Sequence, residues 1–310
     1  GSVRTAQSAN HEGEKTMRAL IISHQKELYY LYNLETQETV PAKARGKFRL
    51  IGTNPKVGDY VEYQMMDDNT AYIVDVEKRH NDLIRPYIAN VDQALLLFSV
   101  KRPDFNPNLL DRFLAIMTFN NIPCVIIYTK WDLLNEEEQK EMLKICEYYR
   151  SIGFPYLAFS TKVPSPNDLD DIKAVIKGKI SVITGQSGVG KSSLINCLAP
   201  HLNIKTAEIS LALGRGKHTT RHVELIPMYD GWVADTPGFG IVDFDSMDEM
   251  DLAHSFVEFF EASSECRFNS CLHQNEPGCA VKDKIGTTIL PSRYENYLLF
   301  LDEISKLRKW

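Results

Sequence analysis

The chain has 310 residues, 44% of them hydrophobic and 25% charged, with a formal net charge of −6. That length allows two or three domains, and the composition is that of a soluble globular protein. No apolar run reaches the roughly 20 residues of a membrane span. The acidic excess excludes a wholesale attraction to nucleic acid but leaves room for local basic patches.

Gly1-Ser2 reads as an expression scar, and Met17 as the native start. Residues 1–16 read as a disordered tail, because they are polar and lack the apolar core of a signal peptide. Residues 17–81 form the first predicted domain. Strands are expected at Ala19–Ile22, Leu28–Tyr32, Lys47–Leu50, Asp59–Met65 and Ala71–Val76, with turn residues between them. Short strands at this spacing predict a small β-barrel of the OB type, a fold that often holds single-stranded nucleic acid or structured RNA. Lys43, Arg45, Lys47 and Arg49, with Tyr60 and Tyr63, are the candidate RNA contacts. A solvated strand of alternating charge is the competing reading.

Residues 82–244 form the second predicted domain, entered through a connector at Asn81–Val91. Strands and helices then alternate. Ala94–Val100 and Pro123–Tyr128 are apolar strands, and Pro107–Phe119 has the 3.6-residue period of a helix. A charged amphipathic helix over Asn135–Arg150, a short strand at Tyr156–Phe159 and a helix at Asp168–Ile176 follow. An apolar strand ends at Gly185, a helix is expected from Ser192 to Leu198 with Pro200 as its stop, and further strands are expected at Val223–Pro227 and Trp232–Ala234. The alternation predicts a mostly parallel sheet with helices on both faces. Residues 245–310 are read as a helical domain, with one helix through Leu252, Phe256, Phe259 and Phe260 and a last helix striped by Tyr294, Tyr297, Leu298, Leu301, Ile304 and Leu307.

Gly185-Gln186-Ser187-Gly188-Val189-Gly190-Lys191-Ser192-Ser193 fits the P-loop pattern G-x-x-x-x-G-K-[ST]. The strand before it and the helix after it supply the context the motif needs. Glycines let backbone N–H groups wrap a polyphosphate, and the helix N-terminus adds partial positive charge there. Lys191 would reach the β- and γ-phosphate oxygens, and Ser192 would take a place on Mg²⁺. Asp235-Thr236-Pro237-Gly238 ends a strand, where its aspartate can hold Mg²⁺ through water and the Gly238 N–H can sense the γ-phosphate.

Thr129-Lys130-Trp131-Asp132 specifies the base. Asp132 would accept from guanine N1–H and N2–H, while Lys130 packs over the ring and braces the loop. Adenine lacks both donors and would leave a buried carboxylate unmet, a loss of about 1–3 kcal/mol per contact. Ser160-Thr161-Lys162 would touch the guanine O6. Lys130 and Asp132 precede the P-loop, the reverse of the usual GTPase order, so the domain reads as circularly permuted. Its second switch then leads straight into the C-terminal domain, and hydrolysis is expected to pull on that domain. Phe239 stands where many GTPases carry a water-orienting glutamine. Gly214–Thr220 lies where the first switch should be, with Thr220 a candidate for Mg²⁺ and γ-phosphate, Thr219 its rival, and His218 a candidate for positioning water.

Six cysteines are present. Cys124, Cys146 and Cys197 read as small buried hydrophobes. Cys266-x₄-Cys271-x-His273-x₅-Cys279 supplies three thiolates and an imidazole, a full tetrahedral set for one structural Zn²⁺ with no open position. A metal cluster in a chain without an export signal points to a reducing compartment.

Together these residues resemble the YjeQ/RsgA family of circularly permuted GTPases. The resemblance rests on Ile88-Ala89-Asn90-Val91-Asp92-Gln93, Thr129–Asp132, the P-loop, Gly214–Thr220, Asp235–Gly238 and the run Cys266–Val281. It implies an OB barrel, a permuted GTPase domain and a zinc-containing C-terminal domain. It also implies GTP hydrolysis stimulated by the small ribosomal subunit during late maturation, with the family's proposed catalytic histidine falling on His218. Thr129 departs from the frequent asparagine, but Asp132 is kept. The expectation is a monomeric, cytoplasmic GTPase that binds GTP/GDP, Mg²⁺ and Zn²⁺ and contacts the small subunit and its rRNA, with no membrane partner. The competing readings are an RNA-binding assembly factor that uses GTP only as a structural or regulatory ligand, and an ATP-dependent enzyme, which Asp132 argues against.

Overall fold

The computed structural model describes residues 15–160, 166–186, 191–198, 223–234 and 243–309. Five N-terminal strands, β1 (Met17–Gln25), β2 (Leu28–Asn33), β3 (Thr39–Ala44), β4 (Tyr60–Met65) and β5 (Ala71–Val76), close into a barrel of order β1-β2-β3-β5-β4. Neighbours run antiparallel except β3 and β5, which pair in parallel with Ala42 opposite Ala71. Ile21, Leu31, Val61, Tyr63 and Ile73 fill the interior. This is the OB-like barrel expected.

One strand was misplaced by sequence. Lys47–Leu50 is a short helix, α1, and the third strand is Thr39–Ala44. The Lys-Phe-Arg-Leu alternation imitates a half-buried strand, but four residues are too few to separate a strand from a helical turn. The turn places Phe48 in the core between β3 and β4. Pro41, opposite Tyr30, hid the true strand, since proline is a poor strand signal.

The connector contains a two-stranded clasp, β6 (Asp82–Leu83) and β7 (Ile88–Ala89). A six-stranded sheet follows, built from β8 (Gln93–Ser99), β9 (Cys124–Thr129), β10 (Tyr156–Phe159), β11 (Ile180–Gly185), β12 (Leu225–Met228) and β13 (Gly231–Ala234). Its order is β10-β9-β8-β11-β13-β12, all parallel except the β12–β13 hairpin. The helices between are α2 (Pro107–Phe119), α3 (Glu136–Ser151), α4 (Pro166–Ile176) and α5 (Lys191–Leu198). Pro200 lies outside the described residues.

Successive strand residues point to opposite faces, and β8 shows where each face goes. Ala94, Leu96 and Phe98 share a core with α2 and α3. Leu95 and Leu97 share another with α4 and α5. Helices therefore cover both faces, as predicted, and strand β8, with no exposed residue, reads as a continuous apolar run for that reason.

The C-terminal region packs on the outer side of α2 and contains α6 (Glu249–Ser255), α7 (Val257–Ala262), α8 (Ala280–Lys284) and α9 (Pro291–Leu307). The single helix predicted through Leu252 and Phe260 is two. Phe256 breaks it with an extended backbone, φ −90° and ψ 101°. The bend turns Leu252, Phe256 and Phe259 into one core and leaves Phe260 exposed. On α9, Tyr297, Leu301 and Ile304 of the predicted stripe are buried, with Phe300 beside them, and Leu307 is exposed. No helix among the described residues is long and apolar enough to cross a membrane.

Candidate functional site

Five parallel strands end at one edge of the sheet. Ser99, Thr129 and Phe159 stand in line across β8, β9 and β10, and Gly185 and Ala234 end β11 and β13. The chain leaves β8 toward α2 on one face and β11 toward α5 on the other. Because β8 and β11 are neighbours, a crevice opens between their carboxyl ends, the place where open α/β sheets bind ligands. The strands that lead into Lys130–Asp132, Ser160–Lys162, the P-loop and Asp235–Gly238 all end at this edge, while Gly214–Thr220 lies outside the described residues.

Gly185 shows how tightly the P-loop starts. A Cβ there would lie 2.1 Å from the carbonyl oxygen of Leu97, so only glycine lets β11 pass β8 at this point. The next amide, Gln186 N, donates to the same oxygen at 3.2 Å. Gln186 Oε1 is buried and has no hydrogen-bond partner among the described residues. Helix α5 begins at Lys191, which gives the loop the helix N-terminus it requires. Ser187–Gly190 and the side chains of Lys191, Ser192 and Ser193 lie outside the described residues.

The guanine loop is compact. Thr129 is fully buried at the end of β9, and its carbonyl accepts from Val100 N at 3.2 Å. Lys130 follows in the left-handed region at φ 60°, and Trp131–Leu133 makes one 3-10 turn. Asp132 is exposed, and its amide donates to Ser160 Oγ at 3.1 Å. Two predicted base-contact elements are thus tied together across β9 and β10. The Lys130 ammonium donates to the carbonyl of Arg102, a brace from a loop that sequence reasoning passed over. The overlooked signal was that Val100–Phe105 is also a strand-end loop of a parallel sheet. Thr161, Lys162, His218, Thr219, Thr220, Asp235 and Gly238 lie outside the described residues.

The predicted metal ligands converge. The ligand atoms of Cys266, Cys271, His273 and Cys279 lie within 4.8 Å of one another. His273 Nδ1 is 3.8 Å from Cys266 Sγ and 3.4 Å from Cys279 Sγ. A tetrahedral ion with bonds of about 2.0–2.3 Å holds its donors roughly 3.5–3.8 Å apart, so the cluster matches. Burial pushes the Cys271 thiol up to about 12 and holds His273 below its usual value. A dication would reverse the first effect, and the neutral imidazole is the form that ligates. The amides of His273 and Ala280 donate to Cys271 Sγ and Cys266 Sγ, both at 3.4 Å, as amides do to metal-bound sulfur. Behind them, the Tyr294 and Tyr297 hydroxyls donate to the carbonyls of His273 and Leu272 at 2.7 and 2.6 Å, and Glu276 accepts from the amides of Leu272, Gln274 and Asn275. Such outer contacts fix ligand orientation.

A third feature lies on the barrel. A cleft of about 370 Å³ is lined by His24, Lys26, Tyr29, Lys43, Arg45, Phe48 and Tyr87, with Glu27 its one carboxylate. Lys43 and Arg45 are where the sequence placed basic contacts. The aromatic neighbours differ from those expected. Tyr63 is buried and accepts from Asn33 Nδ2 at 2.8 Å, and Tyr60 carries Arg18 over its ring. Tyr29, Phe48 and Tyr87 face the cleft instead, because the period-2 pattern does not reveal which face of a closed barrel lies inside.

Comparison with known proteins agrees with this geometry. The RsgA GTPase family model matches residues 76–245, and the RsgA N-terminal domain model matches residues 20–73. A protein of Shouchella clausii named small ribosomal subunit biogenesis GTPase RsgA is 46% identical over 271 residues, 87% of this chain and 92% of the relative. The protein of that name in Enterococcus faecalis is 45% identical over 281 residues, 90% of this chain and 93% of its own. Among solved structures, YloQ, described as a circularly permuted GTPase, superposes with a TM-score of 0.81 at 37% identity, covering 97% of this chain and 98% of its own. YjeQ from Thermotoga maritima superposes with a TM-score of 0.81 at 33% identity, covering 94% and 99%.

Proposed function

The chain belongs to the RsgA GTPase family, and from that premise we propose that it acts on the small ribosomal subunit, assisting late maturation and leaving after GTP hydrolysis. It is a circularly permuted P-loop GTPase that hydrolyses GTP. The observation that carries the reading is the single strand edge where Lys130, Asp132, Ser160 and Gly185 meet. Asp132 and Lys130 select guanine, Ser160 with Thr161 and Lys162 closes the base site, and Gly185–Ser193 cradles the phosphates. Ser192 and Thr220 would hold Mg²⁺, which neutralises charge on the β- and γ-oxygens. Asp235 would hold Mg²⁺ through water, the Gly238 N–H reports the γ-phosphate, and His218 orients the attacking water.

The working division is a barrel over 17–81, a GTPase domain over 82–244 and a metal-binding domain over 245–310. The metal is one structural zinc, because three sulfurs and one nitrogen in a closed buried set suit that ion. The barrel cleft contacts rRNA, since clustered cations beside aromatic rings suit phosphates and unstacked bases. The protein works as a cytoplasmic monomer. The test is the steady-state GTPase rate against small-subunit concentration. A saturable rise is expected, and a flat rate would overturn the reading in favour of an assembly factor that uses GTP only as a ligand. His218→Ala should lower the stimulated rate while GTP affinity stays near wild type, and an unchanged rate would remove His218 from the mechanism.

A further inference from the structure

The loop from Val100 to Phe105 joins β8 to α2 at the carboxyl edge of the sheet. Since β8 lies between β9 and β11, the loop stands between the guanine loop and the start of the P-loop. It is fastened to the guanine side at four points. Val100 N donates to the Thr129 carbonyl at 3.2 Å. The Phe105 ring meets Tyr128 edge-on at 5.9 Å. The Lys130 ammonium donates to the Arg102 carbonyl. Lys101 Nζ donates to both carboxylate oxygens of Glu138 at 3.1 and 3.0 Å.

The third and fourth contacts come from adjacent residues of the loop. Arg102 and Lys130 both have left-handed backbones, at φ 54° and 60°. Neither is glycine, and side chains adopt this conformation only when the surroundings over-determine it. Glu138 is the fixed end of the arrangement. It is the third residue of α3, and its carboxylate also accepts from Asn135 N at 3.2 Å in a capping box closed by Asn135 Oδ1 and Glu138 N at 2.8 Å. Asn135 starts the helix three residues after Asp132. Ser99 Oγ, which donates to the Lys101 carbonyl at 2.8 Å, fixes the other side of Lys101.

We propose that Val100–Phe105 is a second wall of the base pocket, and that Lys101, locked to Glu138, is a positioning residue for guanine recognition. The pair holds the Arg102 carbonyl where the Lys130 ammonium meets it, and Lys130 in turn holds the Asp132 turn in register with the base. It acts equally on the di- and triphosphate, because it supports the base and not the phosphates. The inference rests on the reading of Lys130 and Asp132 as the guanine contacts.

The experiment is competition binding on the full chain, with a fluorescent GDP displaced by GDP or by inosine diphosphate. Inosine lacks the 2-amino group, one of the two donors to Asp132. The Lys101–Glu138 pair is about one third exposed on each side, so its effect is modest. Lys101→Ala should weaken GDP by about three- to fivefold, the size of a well-placed surface pair. It should also shrink the preference for GDP over inosine diphosphate, and Lys101→Arg should restore both. Glu138→Gln keeps an acceptor for the helix cap but loses the charge, and should behave as Lys101→Ala. Unchanged GDP affinity, or equal weakening of both nucleotides, would overturn the proposal. Asp132→Ala is the control for the underlying reading. If it binds GDP as wild type, the base site itself is misassigned and the proposal falls with it. If it loses GDP while the Lys101 variants do not, only the proposal falls.

Discussion

The two regions that flank the GTPase sheet are attached by different chemistry. The barrel is joined mainly by amides, backbone groups and a charge cluster that runs from buried Asp59 and Lys56 out to solvent at Asp82. Asn90, left-handed at φ 60°, donates from Nδ2 to the Gly58 carbonyl at 2.8 Å and accepts at Oδ1 from His80 N at 2.9 Å. Gly58 has φ +93°, and a Cβ there would fall 1.9 Å from the Ala89 oxygen, so barrel and connector touch backbone to backbone. Arg79 forks onto Asp59 at 2.7 Å and reaches Asp82 at 3.0 Å, while Lys56 pairs with Asp82. Tyr32 meets Trp232 of β13 edge-on at 4.8 Å.

The C-terminal region is keyed by buried charge. Arg293 of α9 is 1% exposed and donates to Glu258 of α7 at 3.1 and 2.5 Å and to Asp111 of α2 at 3.1 Å. Tyr149 of α3 donates to Asp111 at 2.6 Å, Tyr148 to Glu258 at 2.7 Å, and Asn296 to Asp111 at 2.7 Å. Every member is satisfied, the condition for a buried polar network to be tolerated. Nearby, Arg112 forks onto Glu303 at 3.0 and 2.7 Å and lies over the rings of Phe244 and Phe300. The difference teaches that the C-terminal region is held against α2 and α3 by a clamp of ion pairs closed off from water.

The largest blow to the comparison is removal of the proposed zinc. If the clamp makes the two regions one unit, a chelator should cost on the order of 10 kcal/mol of apparent stability and unfold α6–α9. Calorimetry with zinc analysis checks this, and a metal-free protein with an unchanged melt would refute it. Arg293→Ala comes next, with an expected loss of about 3–5 kcal/mol, because Asp111 and Glu258 would be left buried without their cation. Denaturant titration reads it. Arg79→Ala at the barrel should cost less, about 1–3 kcal/mol, since Asp59 keeps the Lys56 amide at 2.8 Å as a donor. Equal losses at the two sites would erase the distinction drawn here.

Acid sharpens the contrast with the smallest effect. Burial works against the Asp82 carboxylate, but Lys56 and Arg79 outweigh it and bring its pKa below the ordinary range. A depressed carboxyl contributes stability above its unfolded pKa of about 4 and loses it as pH falls through the folded value. At Asp111 burial outweighs Arg293 and the hydrogen bonds and raises the carboxyl. Amide exchange should therefore show the barrel junction loosening below about pH 4 before the α2–α9 interface does. The reverse order would contradict the assignment.

Much of the site is contiguous in sequence, and contiguous chemistry is legible. The P-loop, Lys130-x-Asp132 and the Cys266–Cys279 ligand spacing each carry their function within a few residues, because backbone geometry brings such neighbours together in any context. The strongly apolar strands β8, β9 and β11 and the periodic helices α2 and α3 were equally plain, since burial on a face leaves its period in the chain. Sequence could not say that β8 neighbours β11, that Lys130 would be met by Arg102, or that Tyr29 and Phe48, not Tyr63, line the barrel cleft. Asp111 and Arg293 are 182 residues apart, and nothing local marks either as the other's partner. Periodicity records that a residue is buried, and only the packed fold decides what it is buried against.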